Sequence, residues 1–333
     1  MNMNIRLSLE EQKLLQQIQA DVPLVSRPFD HLGRAFQMDE NRVLACLRAW
    51  KEQGLIRWLG AVFSTRSLGY QSTLAAFSLA PERIEEAAAI VNQHPGVTHN
   101  YQRDHEYNLW FTLAVPPQES LLAQIESLAK ASKAAKWISL PVVKTYKISL
   151  ILPLIEEEQE GKKAAAGSGR LPEGQSFSVT EEEKALIRIL QEDWPLVPVP
   201  WQVFAEQWGY GDEKCLIDRL RRWKEQGIIR RIAAILRHHQ AGFTINWMVA
   251  WQVEGERIDE AGERAAHNPL VSHCYQRALA TDWAYPLFTM IHARSEEQAR
   301  SAVEELCRLI EPLDYKILPT IREFKKVRLK LFA

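Results

Sequence analysis

RAWKEQGLIR, residues Arg48–Arg57, returns as RRWKEQGIIR at Arg221–Arg230, and that second occurrence decides how the chain of 333 residues is organised. Working outward, EEQKLL (Glu10–Leu15) matches EEEKAL (Glu181–Leu186), and DVPLV (Asp21–Val25) matches DWPLV (Asp193–Val197). Further on, PGVTHNYQR (Pro95–Arg103) matches PLVSHCYQR (Pro269–Arg277), and LPVVKTYKISL (Leu140–Leu150) matches LPTIREFKKVRL (Leu318–Leu329). Self-similarity sustained over this length is the mark of a duplicated unit, so two homologous units lie in tandem. Between them EEEQEGKKAAAGSGRLPEGQS (Glu156–Ser176) is rich in charge, Ala, Gly and Ser and lacks apolar periodicity, which reads as a solvated linker.

Each unit divides again. Ser8 followed by Glu10 and Glu11 is an acidic helix start, and Leu14, Leu15 and Ile18 form a helical apolar stripe. A second helix is expected near Phe29–Phe36 and a third from Glu40 to Gln53, stopped by Gly54. LIRWLGAVF then reads as a strand, completing a winged helix-turn-helix outline. After it come a strand (Ser72–Leu79), a helix (Pro81–Asn92), two strands (Val97–Arg103 and Tyr107–Val115), a helix (Glu119–Lys133) and a strand (Trp137–Leu150). That β-α-β-β-α-β order is ferredoxin-like, and the second unit copies it. The fold class is therefore α+β, a tandem repeat of winged helix-turn-helix plus ferredoxin-like domain. The expected boundaries are 1–66 and 67–155 for the first unit, 156–177 for the linker, and 178–239 and 240–333 for the second.

A hydrophobic share of 46% with 25% charged residues is ordinary globular composition, which excludes disordered and fibrous classes. No window approaches a membrane span and the first residues carry no apolar signal region, so a cytoplasmic protein is expected. Cys46, Cys215, Cys274 and Cys307 show no CxxC spacing, against a zinc ribbon, an iron–sulfur cluster or a disulfide scaffold. Lys plus Arg total 41 against 42 Asp plus Glu, and the balance holds within residues 1–58. A dedicated DNA reader normally shows a basic face, and here the third helix begins Met38-Asp39-Glu40-Asn41, so DNA binding is not expected. No GxGxxG, P-loop, HExxH or GxSxG motif is present.

Chemistry concentrates between the second and third strands of each ferredoxin-like part. His99, Tyr101, Arg103, His105 and Tyr107 stand two apart and would share one sheet face, with a turn expected to interrupt the row. The second unit keeps His273, Tyr275 and Arg277, inserts four residues and resumes with Trp283 and Tyr285, leaving His105 without a counterpart. An Arg fork suits carboxylates and His titrates near neutral pH, so the pattern describes an anionic-substrate site with a proton donor. Half-buried sheet aromatics with solvated His and Arg are the structural alternative. Arg57 and Arg230, at the start of the wing strands, are candidates for binding an acid group, and His238 of the His238–His239 pair is a weaker one.

KEQGLIRWLGAVFSTRSLGY, HPGVTHNYQRDHEYNLWFTL and HNPLVSHCYQRALATDWAYPLFTMIHAR together closely resemble the siroheme decarboxylases, enzymes related to the Lrp/AsnC regulators. YNLWFT in one unit and WAYPLFTMIHAR in the other resemble the two subunit types of that family, so the chain looks like their fused form. The resemblance implies AsnC/Lrp-type ferredoxin-like domains joined as a pseudo-dimer, with pockets near the shared interface. It implies a carboxy-lyase that removes the C12 and C18 acetate carboxyls of siroheme without a cofactor, giving 12,18-didecarboxysiroheme and CO2 for haem d1 or an alternative haem route. Under it His99, His105 and His273 become proton donors or orienting groups, and Arg103 and Arg277 carboxylate anchors. Tyr101 and Tyr275 are counted with the histidines as catalytic candidates, Tyr101, Tyr107, Tyr275 and Tyr285 line and order the macrocycle, and Trp110 and Trp283 serve as stacking walls. The protein itself would hold no metal, with an axial His on the substrate iron left unassigned. A homodimer of the fused chain, or a further decarboxylase subunit, is the expected partner. A transcriptional regulator and a non-catalytic tetrapyrrole carrier are the competing classes.

Overall fold

The computed structural model describes residues 7–148, 179–236 and 245–333. Two compact units emerge, and they do not coincide with the two sequence repeats: one comprises residues 1–69, 150–241 and 331–333, the other residues 70–149 and 242–330. Like parts of the repeats have coalesced, both helix-turn-helix parts in the first compact unit and both ferredoxin-like parts in the second.

In the helix-turn-helix unit the first repeat supplies α1 (Leu9–Ala20), α2 (Pro28–Ala35), α3 (Glu40–Glu52) and β1 (Ile56–Phe63). The second supplies α6 (Glu181–Leu190), α7 (Pro200–Trp208), α8 (Glu213–Glu225) and β6 (Ile229–Leu236). The acidic starts are capping boxes, Ser8 with Glu11 and Thr180 with Glu183. Asp39 likewise caps α3 by accepting from the Arg42 amide at 2.9 Å, so that carboxylate is a helix-start device. Each wing strand pairs with the other repeat's, β1 running antiparallel to β6 from Ile56↔Leu236 to Phe63↔Ile229. The DxPL segments complete the exchange. Lys51 pairs with Asp193 at 2.8 Å and Arg48 donates to the Leu196 carbonyl at 2.7 Å, while Lys224 pairs with Asp21 and Arg221 donates to the Leu24 carbonyl at 2.9 Å.

The other unit contains β2 (Gln71–Ser78), α4 (Ile84–Gln93), β3 (Val97–Arg103), β4 (Leu109–Val115), α5 (Leu121–Ser132) and β5 (Lys136–Ile148). From the second repeat come β7 (Ile245–Gln252), α9 (Ile258–His267), β8 (Val271–Arg277), β9 (Leu287–Ala293), α10 (Glu296–Ile310) and β10 (Asp314–Lys326). Each half has the ferredoxin-like strand order, and the halves close into one barrel, β10-β3-β4-β2-β5-β8-β9-β7. Closure depends on the long last strands. Lys136–Pro141 of β5 pairs with its own β2, and Val142–Ile148 crosses to β8. β10 does the same, leaving β7 at Pro319 to join β3 from Thr320. The prolines stand at the crossing points, where a residue without an N–H ends one ladder, and bulges beyond them add the twist that closure needs.

β2 shows why simple alternation fails here: Thr73 to Phe77 are all buried, Ala75 and Phe77 against α4 and α5, Leu74 and Ala76 toward the barrel interior. α9 and α10 cover the other half's outer face in the same way. The crossing strands are pinned by matched contacts, Lys144 with Asp259 and Arg322 with Glu85. Gly262 on α9 admits the Tyr146 ring of β5, since a Cβ there would lie 2.3 Å from a ring carbon.

Candidate active site

Alternation along β3 puts Asn100 toward the helices, where its amide reaches the Ala88 carbonyl and the Asn92 side chain, and leaves His99, Tyr101 and Arg103 on the opposite, interior face. The three form a column: His99 and Tyr101 rings stack at 6.2 Å, and the Arg103 guanidinium lies 5.4 Å from the Tyr101 centroid. β8 repeats it with His273–Tyr275 at 6.0 Å and Arg277 over Tyr275 at 5.2 Å. The expected row ends at Arg103, because the chain turns between Asp104 and Asn108; His105 and Tyr107 sit on that turn.

The two arginines reach matching carbonyls, Arg103 from a buried position and Arg277 from a half-buried one. Arg103, 3% exposed, donates from Nη1 to the Leu318 carbonyl at 2.6 Å and to Thr320 Oγ1 at 3.1 Å. Arg277 donates to the Leu140 carbonyl at 2.8 Å. Leu318 and Leu140 are the matching residues of the two crossing strands, so each arginine braces the opposite half. Burial draws both guanidiniums down to about 10, and the Nε of each has no partner. Neither has a carboxylate within ion-pair distance among the described residues, an arrangement that leaves two positive charges in a low-dielectric interior.

Tyr101 is held protonated far into alkali by burial and by Glu323 beside it. The Tyr107 hydroxyl is buried without a partner. Tyr285 differs, donating to Asp314 at 2.5 Å with Lys316 over its ring. Burial holds the His105 imidazole below its ordinary range.

Trp110 and Trp283, expected as walls, pack on each other edge to face at 5.2 Å and are almost fully buried in the interior cluster with Tyr107, Phe288, Met248 and Leu318. Strand register corrects the reading of the second half. Tyr101 faces Trp110 across β3–β4, and Tyr275 faces Phe288 across β8–β9, so Phe288 is the equivalent of Trp110. Trp283 stands two residues before Tyr285, as His105 stands two before Tyr107. The second half thus carries an indole, and no histidine, at that spacing.

Arg57 and Arg230 are exposed on β1 and β6, in the helix-turn-helix unit. His238 lies outside the described residues. Sequence reasoning missed Glu323, Thr98, Thr112, Ser272, Asp314 and the carbonyls of Leu140 and Leu318. Glu323 and the Leu140 and Leu318 carbonyls come from strands distant in the chain and reach the column only through pairing, whereas Thr98 and Ser272 are the immediate neighbours of His99 and His273.

No group of three or more His, Cys, Asp or Glu able to hold a metal ion occurs among the described residues. No helix among them is long and apolar enough to cross a membrane.

Fold and interior define a tandem helix-turn-helix protein whose ferredoxin-like domains close into one barrel carrying arginines and aromatic rings on its inner face. The AsnC-like ligand binding domain model matches residues 67–147 and 240–325, and the siroheme decarboxylase NirDL-like HTH domain model matches residues 11–57 and 183–230. The siroheme decarboxylase of Hydrogenobacter thermophilus is 37% identical over 325 residues, 97% of this chain and 95% of that protein. The siroheme decarboxylase NirDL subunit of Paracoccus denitrificans is 32% identical over 317 residues, 94% of each. A crystal structure of the siroheme decarboxylase NirDL in co-complex with an iron-uroporphyrin III analogue superposes with a TM-score of 0.81 at 34% identity, covering 97% of this chain and 95% of that one. The chain belongs to the siroheme decarboxylase family.

Proposed function

We propose that this chain decarboxylates siroheme, converting the acetate side chains at C12 and C18 to methyl groups with release of CO2. The observation that carries the reading is the pair of arginines, buried Arg103 and half-buried Arg277, related by the internal repeat and without a carboxylate partner among the described residues. A flat macrocycle bearing several carboxylates supplies what they lack, and Tyr101, Tyr275 and the interior aromatics offer it apolar faces. That relatives with this full-length arrangement are siroheme decarboxylases supports the same conclusion.

In each decarboxylation the bond between the side-chain methylene and its carboxyl carbon breaks. The electron pair passes into the macrocycle, protonated beforehand beside the departing group, and CO2 leaves; one proton is then delivered to the methylene carbon and the ring proton is given back, so one proton is consumed per CO2. The balance needs no oxidant or reductant, and with the macrocycle itself taking up the electron pair the proposed reaction runs without a separate cofactor. Arg103 and Arg277 fix carboxylates, and His99 and His273 are the candidate proton carriers, each with Nδ1 on a neighbouring hydroxyl. Tyr101 and Tyr275 order the macrocycle. Trp110 and Trp283 act together as one aromatic wall, and Arg57, Arg230 and His238 stay as outlying candidates for acid groups.

The reading includes a cytoplasmic homodimer of the fused chain with no DNA-reading role. Supporting the last point, the cations Arg48, Lys51, Arg221 and Lys224 of α3 and α8 are bonded within their own compact unit. The test is anaerobic incubation with siroheme and mass spectrometry of the extracted tetrapyrrole. Loss of two CO2 is expected; one lost CO2 limits the chain to a single acetate, and an unchanged mass despite an altered absorption spectrum makes it a carrier.

A further inference from the structure

The barrel histidines differ in what holds Nδ1. His99 meets the Thr98 hydroxyl at 2.9 Å and His273 the Ser272 hydroxyl at 2.8 Å. A hydroxyl either gives or takes a proton, so those contacts tolerate either tautomer. At His105 the main-chain N–H of Tyr107 donates to Nδ1 at 3.0 Å. An amide nitrogen has a proton to give and no lone pair to offer. Nδ1 is therefore the bare nitrogen, and the ring proton sits on Nε2.

The ring is also held in orientation. It lies 11° from parallel with the Tyr107 ring at 6.2 Å, and the Trp283 indole stands edge-on to it at 5.5 Å. Protonating Nδ1 would set two N–H groups against each other. Burial disfavours the imidazolium in the same direction, with Glu106, Lys316 and Asp104 as the charged groups around the ring. Trp283, at the corresponding spacing before Tyr285, donates its indole N–H to the Tyr285 carbonyl at 3.0 Å, so the second half offers no free donor from that position.

We propose that His105 is a neutral, orientation-locked hydrogen-bond donor through Nε2 that binds one carboxylate of the macrocycle, and is neither the proton source nor a ligand to its iron. With one lone pair engaged and the other nitrogen protonated, the ring offers nothing to a metal. Because the donor occurs in one half only, it breaks the two-fold likeness of the lining and selects one orientation of an unsymmetrical substrate. The carboxylate contact rests on the siroheme reading; the tautomer does not.

The first measurement is 15N NMR of the histidines in the ligand-free full-length chain at neutral pH. A His105 signal of the neutral Nε2–H form is expected; an Nδ1–H tautomer or an imidazolium overturns the proposal. The second compares His105→Asn with His105→Gln by siroheme titration, since the Gln amide nitrogen overlays Nε2 while Asn reaches only the Nδ1 position. His105→Asn should bind roughly ten- to a hundred-fold more weakly, and His105→Gln should recover about tenfold of that loss. The reverse order, or equal loss in both with normal wild-type binding, overturns the donor role. A wild-type chain that takes up no siroheme overturns the functional reading and the carboxylate contact together, while the tautomer is still decided by the first measurement.

Discussion

Arg103 of the first repeat hydrogen-bonds the main-chain carbonyl of Leu318 in the second, at 2.6 Å, from a position almost sealed from solvent. A buried cation with no carboxylate partner costs the folded state desolvation energy, and an anionic ligand recovers it. Arg103→Met should therefore leave the melting temperature unchanged or raised, with the lost carbonyl bond offset by relieved desolvation. Its siroheme affinity should fall by about 1.5–3 kcal/mol, the usual worth of a hydrogen bond to a charged group. Calorimetry and a binding titration on the same preparation check both halves of the statement; a large drop in melting temperature would make the arginine a structural brace only.

Because β5 pairs with β8 and β10 with β3, the two repeats are interleaved through hydrogen-bonded strands. A protease site placed within residues 156–176 and cut after folding should leave both fragments in one species on size-exclusion chromatography without denaturant. Separation into two fragments would contradict the crossed strands.

In the helix-turn-helix unit Asp193 serves two partners, the Lys51 ammonium at 2.8 Å and the Leu59 amide at 3.0 Å. Asp193→Ala should thus destabilise more than Lys51→Ala, since it also strands a backbone donor in a partly buried place. The coupling between the two, measured by a double-mutant cycle in urea, should be about 0.5–1 kcal/mol, as both side chains keep solvent contact.

Gly262 leaves room for the Tyr146 ring where β5 crosses onto α9. Gly262→Ala would set a methyl 2.3 Å from that ring, and should cost about 1–3 kcal/mol even though alanine favours helices. Pairing it with Tyr146→Leu should recover part of the loss in a denaturation series.

His105 titrates below its ordinary value because of burial. The unfolded chain then binds the proton more readily than the folded one, so this residue's stabilising contribution is present above about pH 6.5 and is lost as pH falls through the folded value. Melting temperatures from pH 7.5 down to pH 5 should fall more steeply for the wild type than for His105→Gln. Identical slopes would show that His105 protonates freely.

The repeat, the helix starts and the spacing-two column were legible in the sequence because each is a local property. Capping boxes, a glycine at the end of α3 and strand alternation act over a few residues. His99, Tyr101 and Arg103 shared a face as their spacing demanded, and the turn broke the row where His105 begins. The repeat also carried the family resemblance, since duplicated motifs keep their order whatever they pack against.

Tertiary structure alone decided what those residues meet. A strand's sequence specifies which side chains share a face, but its open edge pairs with whichever strand folding brings alongside. Thus Pro141 and Pro319 looked like ordinary strand residues until the ladders showed them to be crossing points between halves. Arg103 looked ready for solvent or substrate until Leu318 arrived from more than two hundred residues away. Trp283 packs on Trp110 from the other half, while strand register makes Phe288 the counterpart of Trp110. Duplication wrote two similar columns and two unlike turns into the chain; the closing of the barrel set the His105 imidazole of one half against the Trp283 indole of the other, at 5.5 Å.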